Sequence, residues 1–160
     1  MLDLLGRDRD RAGLNGLVLT VSAQTLLSED GGGIVDEGRL IRTRIEQLIR
    51  LFDRRFPVYV LVTQIDSLYG MEAWSHLLTP EVLDQAMGHV VDEPENGRDV
   101  RDVIDIALGR VSSRLKTMQL TMLLQHPDAD PALLMFPTEL TRLAGPLKRY
   151  VYHAWETAPI

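Results

Sequence analysis

Phe56-Pro57-Val58-Tyr59-Val60-Leu61-Val62-Thr63-Gln64-Ile65-Asp66 is the stretch that decides how this chain is read. Val58 to Val62 is an unbroken apolar run, rich in β-branched residues, that follows a proline and stops at Thr-x-x-Asp. A run of this kind suits a strand buried on both faces. In a parallel sheet, ligands bind beyond the carboxyl ends of the strands, so Thr63, Gln64 and Asp66 stand where a ligand would be read.

Upstream, Leu17 to Val21, within Asn15-Gly16-Leu17-Val18-Leu19-Thr20-Val21-Ser22, is a second nearly continuous apolar run and the first strand in chain order. Ser28 to Gly33 reads as a polar, glycine-rich break and surface loop. Leu40, Ile41, Ile45, Leu48, Ile49 and Phe52 then recur at helical spacing, with Arg39, Arg42, Glu46 and Arg50 between them. That pattern predicts an amphipathic helix of roughly 20 residues. Pro57 closes it, having no N–H to donate. Strand, helical crossover and strand form a βαβ unit, and both strands are too apolar for a half-solvated antiparallel pair. The expected fold class is therefore α/β, with parallel strands at about 16–22 and 57–63 as the core of a partial sheet.

Beyond Asp66 the pattern turns helical. Met71 to Leu78 is a short amphipathic piece, and Thr79-Pro80-Glu81-Val82 opens another helix, with a cap residue before proline. Val100, Ile104, Ala107, Val111, Leu115, Met118 and Met122 step by three and four up to His126-Pro127, predicting a long helix whose other faces are mostly polar. A last helix is predicted from about Thr138, with Leu140, Leu143, Leu147, Tyr150, Val151 and Ala154 inward and an interruption at Gly145-Pro146. Two strands alone leave unpaired backbone and a bare apolar face, so the chain reads as a fragment of a larger sheet domain, with residues 1–66 its βαβ part and 67–160 its helical part.

The 160 residues are 45% apolar, enough to fill a core. A formal charge of −6, with no Lys/Arg block, argues against nucleic acid and anionic lipid as partners. There is no cysteine, hence no disulfide framework or thiolate metal site. Met1 to Arg11 lacks the apolar core of a signal peptide, and no stretch approaches the ~20 apolar residues of a membrane span.

In GTPases an Asn/Thr-Lys-x-Asp motif follows a buried strand, and its aspartate accepts two hydrogen bonds from guanine. An ionised carboxylate suits that task because it is acceptor-only. Here the four positions are Thr63, Gln64, Ile65 and Asp66, so glutamine stands where the motif has lysine and the positive charge is lost. The bland alternative is a polar strand terminus that caps the next turn. No Gly-x-x-x-x-Gly-Lys-Ser/Thr phosphate loop occurs, and Gly31-Gly32-Gly33 follows Glu29 and Asp30, which repel phosphate.

Asp92, Glu93 and Glu95, like Asp128 and Asp130, read as solvated turn residues rather than a cation site. His76, His89, His126 and His153 are scattered without a metal-ligand spacing. Ser22, Ser112 and Ser113 sit in no nucleophile elbow. Trp74 and Trp155, on amphipathic segments, read as core or interface anchors. No catalytic constellation and no metal centre is expected.

Three features recur together in one known family: Leu14 to Ser22, then Arg55 to Asp66, then Phe136-Pro137 leading into Leu143 and Pro146-Leu147. Over nearly its whole length the chain resembles the cytoplasmic GTPase-like domain of the IcmF/TssM-type inner-membrane protein of bacterial type VI secretion systems. The resemblance implies a P-loop-NTPase-like sheet whose phosphate-loop region precedes Met1 and whose final strand follows Ile160. It also implies a parent protein anchored in the inner membrane, with this part on the cytoplasmic face, and partners comprising a DotU-like inner-membrane protein and baseplate components. GTP and Mg²⁺ would be ligands of the parent, read at the base by Thr63, Gln64 and Asp66, with no cofactor held by this fragment. Without the phosphate loop and Mg²⁺-binding residues, independent hydrolysis is not expected, because phosphoryl transfer depends on positioning and charge stabilisation by those parts.

Three readings follow from the residues. The leading one is a non-enzymatic scaffold part of a secretion machine. The second is a GTP switch whose parent supplies the phosphate loop. The third is an unrelated α/β interaction domain, which would be favoured if the two apolar runs were not adjacent parallel strands.

Overall fold

The computed structural model describes residues 15–28, 31–53, 56–91 and 99–155. Met1 to Arg11, Asp92, Glu93 and Glu95 lie outside the described residues.

The two apolar runs form strands β1 (Leu17–Ser22) and β2 (Val58–Thr63), paired in parallel with Leu17 opposite Val58 and Ser22 opposite Thr63. Between them run the short helix α1 (Ala23–Leu27) and the long helix α2 (Gly31–Phe52). The βαβ expectation is met, and the arrangement that would have favoured the third reading, apolar runs that are not adjacent parallel strands, is not observed.

One expectation is corrected. The strands are covered on one face only by the described residues: Leu19 and Val21 are buried and Val60 and Val62 half-buried, whereas Val18, Tyr59 and Leu61 remain more than half exposed. Side chains alternate between faces along a strand, so the register that buries one set must present the other outward. Continuous apolarity is a property of the strand; coverage depends on what lies across it.

A second correction concerns Gly31-Gly32-Gly33, which form the first turn of α2 rather than a surface loop. The inward stripe of α2 accordingly starts earlier, at Ile34 and Gly38, and continues through Ile45 to Phe52, while Leu40 points to solvent. Asp53, at φ 46°, ends the helix. The polar side carries intrahelical ion pairs, among them Arg42 Nε to Glu46 Oε1 at 3.0 Å.

After β2 come a 3-10 turn (Ile65–Ser67), α3 (Met71–Ser75) and the single turn α4 (Pro80–Leu83). Then follow α5 (Val100–Gln125), a second 3-10 turn (Pro131–Leu134), α6 (Phe136–Arg142) and α7 (Ala144–Trp155). Helix α6 starts two residues before the expected Thr138, because Pro137 fits a first helical turn whose N–H groups have no partner. Pro146 cannot donate to the carbonyl of Arg142, so the ladder breaks at Leu143 and resumes with Leu147 N–H donating to Leu143 O at 2.9 Å.

Helix α7 lies at the centre of the helical layer, packed against α2 on one side and α5 on the other. Leu147, Tyr150, Val151 and Ala154 are its buried residues. The first three share a core with Val21, Leu26 and Ile34 from the βαβ part and with Val111, Leu115 and Phe136 from the second half. Trp74 is buried in that core as an anchor, its ring tilted 53° against Phe136 at 5.4 Å between centroids. Lys148 Nζ on α7 meets Asp105 Oδ1 on α5 at 2.9 Å, and Arg101 lies 4.4 Å from the Tyr152 ring centroid. The outer side of helix α5 is mostly polar, as expected, with Leu120 and Leu124 its exposed apolar exceptions.

Candidate functional site

The carboxyl end of the parallel pair is built from both strand termini and the turns that leave them. Strand β1 passes into α1 with no intervening loop, because Ser22 is at once the last strand residue and the helix N-cap. Its Oγ accepts from the backbone N–H of Gln24 at 3.1 Å and of Thr25 at 3.4 Å. The same hydroxyl donates to Oε1 of Gln64, a residue 42 positions away on the other strand terminus. A hydroxyl has one donor and two acceptor lone pairs, so Ser22 meets all three bonds with its full capacity.

Each residue singled out from the sequence can now be placed. Thr63 ends β2 and its Oγ1 donates to Val21 O across the pair at 3.4 Å. Gln64 sits in the left-handed region, φ 57° and ψ 36°, uncommon for a residue with a side chain. That conformation turns its amide back onto Ser22 and its carbonyl onto Ser67, whose Oγ donates at 2.7 Å. Asp66, in the following 3-10 turn, is exposed, and no hydrogen bond or ion pair engages its carboxylate among the described residues. Thr63 and Gln64 thus serve internal bonding, while Asp66 alone presents free acceptor capacity.

Asp66 opens onto a cleft of about 570 Å³ that is also lined by Glu72, His76, Asp130 and Tyr69. Three carboxylates on one cleft disfavour a phosphate and leave Asp66 suited to hydrogen-bond donors on a ligand. Asp130 is partly occupied, accepting from Ala132 N–H at 2.8 Å as the cap of the second 3-10 turn. The cleft wall is fixed by Gly70, whose φ of 86° begins α3 and whose missing Cβ would fall 2.2 Å from Ala132 O. Among the described residues no cluster of His, Asp and Glu could hold a metal ion, and the scattered histidines remain apart.

Sequence reasoning missed two features. Ser22 was discounted as a nucleophile and not considered as a clamp, although a serine between an apolar strand and Ala23-Gln24 carries the N-cap signature. The second is an apolar groove of about 290 Å³ between the α3–α4 segment and α5, with Trp74, Leu115 and Met118 among its walls. Its parts lie far apart in the sequence, so no local pattern announces it. At the other end of α5, Arg101 beside the N-cap Asp99 holds that carboxyl down from 3.8 to about 2.

No helix among the described residues is long and apolar enough to cross a membrane. No solved structure matches the chain significantly. A curated relative, the "Type VI secretion system component TssM1" of Pseudomonas aeruginosa, is 29% identical over 133 residues, which is 82% of this chain. The chain spans only 12% of that protein's length. Residues 1–160 match the family described as the IcmF-related N-terminal domain, so the match covers the chain from end to end. The chain belongs to the IcmF-related N-terminal domain family.

Proposed function

We propose that the chain is a structural part of a type VI secretion membrane complex, a GTPase-like domain that docks partner subunits and performs no catalysis of its own. The observation that carries this reading is the family match over residues 1–160, joined by the similarity to a component of that secretion system. Two local facts support the non-catalytic half. No phosphate-loop motif occurs among the 160 residues, so this part has nothing of its own with which to position a triphosphate. The residue at the lysine position of the base-reading motif, Gln64, is bonded to Ser22 instead of lying free to pack on a base.

On this reading the parent is anchored in the inner membrane with this part on the cytoplasmic face. Its partners are a DotU-like inner-membrane protein and baseplate components, and the unused sheet face around Val18, Tyr59 and Leu61 is where the remainder of a P-loop-NTPase-like sheet domain would pack.

A second reading is favoured by one observation. Asp66 is exposed at the carboxyl end of a parallel strand with its carboxylate unengaged among the described residues, as a guanine-reading aspartate requires. The parent would then supply the phosphate loop and bind GTP with Mg²⁺, with Thr63, Gln64 and Asp66 at the base. Calorimetric titration of GTP, GDP and ATP with Mg²⁺ into the complete cytoplasmic part of the parent separates the two. The scaffold reading expects no binding in a folded sample, while secretion still requires the domain. Guanine-selective binding that disappears in Asp66→Ala would replace it with the switch.

A further inference from the structure

The apolar groove between α3–α4 and α5 has a floor of Trp74, Leu78, Val111, Leu115, Met118 and Phe136. Its lip is formed by Leu83 and Met87, which are 52% and 48% exposed, so apolar surface continues outward from the floor with nothing described lying on it. Met71, Met87 and Met118 all line it, and unbranched, polarizable thioethers adapt to more than one apolar occupant. Along α5 the lining runs from Val111 to Met118, a rise of about 10 Å, or two turns of an opposing helix.

The groove does not end in neutral solvent. Arg114 and Met118 are shared with a broad polar hollow of about 730 Å³, also lined by His89, Arg110, Ser113 and Thr117. Arg110 Nη1 donates to His89 Nε2 at 3.1 Å, and neither Arg110 nor Arg114 meets a carboxylate among the described residues. Most other arginines described here are paired, Arg39 with Asp36, Arg42 and Arg50 with Glu46, Arg101 with Asp99 and Arg142 with Glu139. In a chain of net charge −6, two guanidinium groups one turn apart beside an apolar groove form a local positive rim. Apolar floor and cationic rim together select for a ligand with the opposite pattern.

We propose that this groove receives a short amphipathic helix of a protein partner, with bulky apolar side chains at i and i+4 in the groove and carboxylates beside them facing Arg110 and Arg114. Helix-in-groove docking uses this anchor spacing, and a charged rim sets register and orientation more than affinity. The inference deepens the scaffold reading and rests on it in one respect, that the ligand is a protein rather than a nucleotide.

The test is selection of a displayed library of amphipathic sequences about 16 residues long, whose helical form is completed by packing the apolar face into the groove, on the full 160-residue chain. Enriched sequences are expected to pair Leu, Phe, Trp or Met at i and i+4 with flanking Asp or Glu, and a synthetic copy to bind more weakly as salt rises. Leu83→Asp and Arg114→Glu are both exposed positions, so the fold is kept; each is expected to weaken that peptide about tenfold. Far-UV circular dichroism of both variants checks that the loss is local. Enrichment of basic helices, or of peptides indifferent to both substitutions, would overturn the proposal. So would sedimentation showing that the chain dimerises and that Leu83→Asp makes it monomeric, since a second copy would then fill the groove. Failure of the scaffold reading registers separately, as guanine binding lost in Asp66→Ala, a position outside the groove.

Discussion

Replacing Gly38 by alanine should destabilise the protein, although the same change elsewhere in a helix stabilises it. Gly38 lies on the buried side of α2 where that helix crosses α7, and a Cβ there would stand 2.9 Å from Tyr150 O and 3.0 Å from His153 Cβ. The nearest atom is backbone, so no side chain can swing aside; α7 must move by a few tenths of an ångström. Overpacking of this kind costs ~1–3 kcal/mol, against a gain of ~1 kcal/mol from the better helix propensity of alanine. The net expectation is a loss of about 1 kcal/mol. Gly109 in α5 is the control, exposed and with nothing within 4 Å of its Cβ position, so Gly109→Ala should add ~0.5–1 kcal/mol. Urea unfolding followed by far-UV circular dichroism measures both, with equal m-values confirming two-state comparison. The two variants should differ by about 2 kcal/mol, with Tm shifts of opposite sign of ~2–4 °C per kcal/mol. If Gly38→Ala were as stable as Gly109→Ala, the close approach of α2 to α7, and with it the central position of α7, would be wrong.

Ser22→Ala removes the α1 cap and the bond to Gln64 together, so a loss of about 1–2 kcal/mol is expected in the same assay; an unchanged midpoint would show that the strand termini are not clamped there. Asp99, held at about 2 by the side-chain bond from Arg101, contributes stability that is present above its ordinary 3.8 and is lost as pH falls through about 2. A carboxyl NMR titration of the folded protein should therefore give Asp99 a midpoint of about 2, and Arg101→Ala should return that midpoint toward the ordinary 3.8; a midpoint unaffected by that substitution refutes the pairing.

Much of the architecture was legible in the order of residues, because periodicity is a local property. The two apolar runs read as parallel strands and were observed as such, and the step pattern from Val100 to Met122 matched a helix that ends at Gln125. Pro57 and Gly145-Pro146 act through their own backbone chemistry, and both interrupted the chain close to where expected. Family resemblance was legible for a similar reason, since it rests on the strings around Asn15-Gly16 and Phe56-Pro57 themselves.

What only tertiary structure decided was which surfaces meet. Val18 and Leu19 are equally apolar neighbours, yet one is 58% exposed and the other 5%, because helices lie across one face of the pair. Gly31 to Gly33 have poor intrinsic helix propensity, yet they form the first turn of α2, and packing of the rest of that helix against α7 is what outweighs propensity here. Gln64 looked like a degraded base-reading residue, but its left-handed backbone turns the amide toward Ser22, 42 positions earlier. The groove on α5 draws its walls from α3, α4, α5 and α6. Its apolar residues satisfied the helical pattern whether they were destined for the core or for its open edge. Composition and spacing fix the faces each element can offer; free energy of burial depends on the element that arrives opposite, and that is set only when the chain folds.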